Sequence, residues 1–81
     1  MDAWLTDARD RIAETTGVDP TSLALDDDTV GDILELAKVA AHESGERTNA
    51  PLVCYLAGLA AGRSGADAAD VVDAASARRS D

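Results

Sequence analysis

His42 and Arg47 stand close together in the sequence, and Thr48, Asn49 and Pro51 follow. An imidazole in the last turn of a helix can bond free carbonyls and gains from the helix dipole. A guanidinium offers a planar fork of donors to a carboxylate or phosphate. Thr48 and Asn49 precede a helix start, where unpaired N–H groups favour anions. His42, Arg47, Thr48 and Asn49 are therefore a candidate contact point for a carboxylate or phosphate of a partner. The favoured alternative is that they are cap and turn residues that hold an elbow between two helices closed, and both readings stay open at this point.

Other reactive residues do not assemble into a site. Ser44 lies near His42, but nothing supplies an activating base or an oxyanion hole. A single histidine without a nearby cysteine makes a poor zinc site. Asp26-Asp27-Asp28 invites a calcium reading, yet with Asp26 as first ligand the fifth position is Val30 and the twelfth is Ala37, where a bidentate Glu belongs. Those aspartates read as a helix start. Gly58-Leu-Ala-Ala-Gly62-Arg63-Ser64 has the wrong spacing for a phosphate-binding loop and follows no strand. Cys54, the one cysteine, sits in an apolar run and reads as a buried thiol. The expectation is a protein that is not an enzyme, with no catalytic residue, cofactor or metal.

The elements that would position these residues are helical throughout. Asp2 caps a first helix to about Thr16, with Trp4, Leu5, Ala8 and Ile12 as its apolar stripe and Gly17 as its stop. Val18 tucks into the core, and Asp19-Pro20 starts a single turn over Thr21 to Ala24. Leu23 and Leu25 plug one end of the bundle. A second long helix runs from about Asp28 to Glu43, burying Val30, Ile33, Leu34, Ala37, Ala40 and Ala41 with Leu36 at the flank. Gly45 supplies the αL position of the next connection.

Pro51 opens the third helix, with its cap at Thr48, Asn49 or the Ala50 backbone. Leu52, Tyr55, Leu56, Leu59 and Ala60 fall on one stripe, and Val53, Cys54 and Ala57 make the remainder apolar. Ala50–Gly62, which carries no charge, is expected inside, ringed by three partners. Gly58 then allows a second backbone to approach, within the monomer or, less favoured, across a homodimer seam. Gly65 ends this helix and Asp67 caps a fourth, with Ala68, Val71, Val72 and Ala75 buried. Arg78-Arg79 complement its dipole, and Ser80-Asp81 fray.

A chain of 81 residues with two aromatics builds its core from Leu, Val, Ile and Ala. Its 16 carboxylates against 7 Lys and Arg give a net charge of −9, which disfavours nucleic acid and anionic membranes as partners. The N-terminus lacks the basic region and apolar core of a signal peptide, so a cytoplasmic location is expected.

Leu34-Glu35-Leu36-Ala37-Lys38-Val39-Ala40-Ala41-His42, then Arg47, Ala50-Pro51-Leu52 and Tyr55-Leu56-Ala57-Gly58-Leu59-Ala60-Ala61-Gly62 form an ordered signature. It resembles a small actinobacterial domain of unknown function. That family occurs alone or fused to molybdenum cofactor guanylyltransferase-like proteins. The resemblance implies an accessory module near molybdenum cofactor biosynthesis and no catalysis. The combined expectation is one all-α domain over 1–81, a small four-helix bundle with a short extra turn between the first two long helices. It serves as a protein-interaction module with an unidentified protein partner, a monomer being favoured over a homodimer. The alternative is a small-ligand or anion-binding domain using the His42–Asn49 elbow.

Overall fold

A computed structural model describes residues 1–76. Four helices and a short turn make up the fold: α1 (Ala3–Thr16), a 3-10 turn (Pro20–Leu23), α2 (Asp27–Ser44), α3 (Asn49–Ser64) and α4 (Ala68–Ala75). The architecture is all-α, a small bundle with an extra turn between its first two long helices.

Local chemistry sets the ends of these elements. The Asp2 carboxylate accepts the Leu5 N–H at 2.8 Å, and the Asp26 carboxylate accepts the Thr29 N–H at 2.7 Å. Each satisfies a donor that a helix start leaves unpaired. Asp19 does the same for the 3-10 turn through the Thr21 N–H, with Pro20 at its first position. Gly17, Gly45 and Gly65 close the three longest helices in the left-handed conformation, at φ of 76°, 72° and 75°, a region that glycine enters without steric cost.

Leu36, Ala57 and Val72, one from each of α2, α3 and α4, form the buried core, flanked by Ile33, Val53, Cys54 and Val71. Leu36 is its centre, at 1% exposure. The expected phase of α2 is corrected accordingly: Leu36 points inward, and Leu34 is 65% exposed. On α4 Val72 is buried and Val71 half-buried, while Ala68 and Ala75 are exposed. The expectations for Arg78-Arg79 and Ser80-Asp81 lie outside the described residues.

The largest correction concerns α3. Leu52 and Ala60 are exposed, Tyr55 and Leu56 stand 69% and 61% open, and Leu59 37%. The helix buries Ala57 instead, with Val53, Cys54 and Ala61 half-buried beside it. An all-round apolar helix has no polar face to fix its rotation. The side that packs is the one with small residues, which lets α2 and α4 come close. Gly58 has no neighbour to accommodate: a Cβ built there meets nothing within 4 Å. It borders an apolar cleft of about 70 Å³ shared with Ile33, Leu36, Ala61 and Val71.

The first helix lies apart from the α2–α4 core, its backbone close only to the 3-10 turn. Ala13 is its buried residue. The expected stripe is open, with Trp4, Leu5 and Ile12 exposed and Ala8 half-buried. Val18 is exposed too, and Leu23 and Leu25 line a groove with Met1, Leu5 and Ile12 rather than the bundle's end. This placement stretches the molecule to 40 × 25 × 20 Å.

Candidate functional site

The expected site residues fall together in and beside the α2–α3 connection. His42 occupies the last turn of α2, Arg47 and Thr48 lie in the turn that follows, and Asn49 begins α3. His42, Arg47 and Thr48 are exposed; Asn49 is half-buried. Ser44 organises the bend: its hydroxyl donates to the Ala40 carbonyl at 2.6 Å and accepts the Glu46 N–H at 3.1 Å. Thr48 is the cap residue but makes no side-chain cap bond, and Pro51 is the third residue of the helix rather than its first.

Because the helix starts at Asn49, ahead of the expected start at Pro51, its first two donors are engaged by the preceding turn. The Asn49 N–H donates to the Glu46 carbonyl at 3.1 Å and the Ala50 N–H to the Arg47 carbonyl at 3.2 Å. Pro51 has no N–H. The exposed His42 and Arg47 side chains lie near the bend, with Glu43 and Glu46 beside them in sequence. Of the four expected residues, Asn49 lines the adjoining groove, together with Ala40, Glu43, Leu52, Val53 and Leu56.

That groove leads onto the surface that the sequence reading had placed inside. Leu52, Tyr55, Leu56 and Leu59 recur at helical spacing and are exposed, forming an apolar stripe on the outer side of α3 whose Leu52 and Leu56 edge borders the groove against α2. The signal for it was visible in the residues. A helix apolar on every side, in a chain with too few partners to surround it, must present one of its faces to something else.

Cys54 lies on the inner side, its thiol 3.8 Å from the Ile33 carbonyl, to which it donates. Burial pushes its pKa up from 9.0, which keeps it protonated and unreactive at neutral pH. Asp19 and Asp26 are held below the ordinary 3.8, each chiefly by a backbone N–H, of Thr21 and Thr29 respectively. Among the described residues no buried side-chain polar atom lacks a partner. No helix among them is long and apolar enough to cross a membrane.

A family model described as a domain of unknown function, DUF6457, matches residues 1–81. The chain belongs to this family. No curated protein and no solved structure matches it. The DUF6457 match runs through α1 and α4 as well as the α2–α3 signature, so the elbow and the outer face of α3 both lie within the family's domain.

Proposed function

We propose that this DUF6457 domain is a non-enzymatic accessory module that works by docking protein on the outer face of α3. The observation that carries this reading is the stripe of Leu52, Tyr55, Leu56 and Leu59, open on a protein of net charge −9. Contiguous exposed apolar surface rimmed by polar residues is a feature of interaction sites. The likeness of the α2–α3 signature to actinobacterial domains fused to molybdenum cofactor guanylyltransferase-like proteins supports a place beside molybdenum cofactor biosynthesis. Titration calorimetry with such a guanylyltransferase-like protein tests the reading. Saturable binding that Leu56→Glu abolishes supports it. Absence of binding removes the molybdenum link, and binding indifferent to Leu56→Glu removes the α3 face.

A second reading is an anion site at the elbow, favoured by the exposure of His42 and Arg47 around one short connection. Arg47→Ala with phosphate as probe separates the two, since it should leave protein docking on α3 intact.

A further inference from the structure

We infer that the outer face of α3 pairs with the same face of a second copy of this chain, the two helices running antiparallel about a two-fold axis. The inference rests on the reading of that face as a docking surface and names its occupant.

Three features favour a second copy. The stripe is self-complementary: Leu52, Tyr55, Leu56 and Leu59 are arranged symmetrically about the midpoint between Tyr55 and Leu56. An antiparallel pair therefore sets Leu52 against the other copy's Leu59 and Tyr55 against its Leu56, as a two-fold interface requires. Thr48 to Gly62 also carries no charge, so two strongly acidic chains can meet there without apposing carboxylates. Finally, the ends of the face are complementary in sign. Arg63, exposed on the same side of α3, would reach past the other copy's Leu52 towards Glu43, which lines the groove with Leu52 and Leu56. The pairing repeats at both ends of the seam.

The size of the face sets the expected strength. A 16-residue helix is roughly 24 Å long, and one helix face falls below the ~800 Å² per partner of a standard stable interface. The dimer should form in the micromolar range.

Sedimentation equilibrium from about 1 to 500 μM, spanning the range expected of a weak pair, tests the pairing. Wild type should shift from the 8.3 kDa chain to twice that mass; Leu56→Glu should remain monomeric with unchanged helix content. Register is tested in a Cys54→Ala background by mixing Leu52→Cys and Leu59→Cys proteins under mild oxidation. In an equimolar mixture, mixed disulfide dimers should well exceed the roughly twofold excess over either homodimer that random pairing gives, because the like positions sit roughly 10 Å out of step along the axis. A wild type that is monomeric throughout overturns the second copy. A dimer that survives Leu56→Glu, or mixed cross-links at no more than about the twofold excess of random pairing, overturns the α3 seam. A monomeric wild type whose binding to another protein is still lost in Leu56→Glu leaves the docking reading standing. One whose binding ignores that change removes both.

Discussion

Asp26 shows how far a single side chain governs this fold. Its carboxylate holds the Thr29 N–H at the start of the helix that carries Leu36, and that bond lowers its pKa below 3.8. A carboxyl with a lowered folded-state pKa stabilises the protein fully above the unfolded value. That contribution is lost as pH falls through the folded value. Thermal melts should therefore show Tm falling below about pH 4, and Asp26→Asn, which retains an acceptor, should weaken that part of the fall. Gly58 makes the opposite case. Its missing Cβ serves no contact, so Gly58→Ala should raise stability by about 0.5–1 kcal/mol through helix propensity. Chemical denaturation measures this directly.

Most helix ends were legible in the sequence because capping is a local matter, whereas α3 starts two residues before Pro51 and Asp67 precedes α4 without a side-chain cap bond. Asp2, Asp19 and Asp26 each act on a backbone N–H within three positions, and Gly17, Gly45 and Gly65 stop helices at their own residues. The rotation of each helix was not legible. In α3 every side is apolar, so periodicity could not distinguish the Ala57 side from the Leu56 side. In α2, Leu34 and Leu36 both have apolar neighbours, and the choice between them depends on what α3 and α4 present. The candidate elbow was readable as a cluster in sequence, but the carbonyls of Glu46 and Arg47 that engage the α3 donors depend on how the bend closes. Helix α1 was misread for a related reason: an amphipathic stripe says that something covers it, not which element does. Its separation from the core has a measurable outcome. Trp4, at 71% exposure, should fluoresce like a solvated indole and be quenched freely by acrylamide. Amides of α1 should also exchange faster than those of α2 and α3.

Taken whole, the molecule has little interior and much apolar surface. The shared core of α2–α4 centres on one leucine, one alanine and one valine, whereas larger residues on α1 and α3 face outward. Small domains are marginal even when their apolar residues are well buried, so this distribution favours a protein that functions in association. The proposed docking depends on one geometric claim: α3 turns Ala57 towards α2 and α4 and Leu56 towards solvent. Circular-dichroism melts of Ala57→Asp and Leu56→Asp, at a dilution where chains do not associate, test it most directly. Ala57→Asp buries an unpaired charge and should abolish the cooperative transition, while Leu56→Asp should melt close to wild type. A Leu56→Asp chain that fails to fold, beside an Ala57→Asp chain that melts normally, would contradict the account.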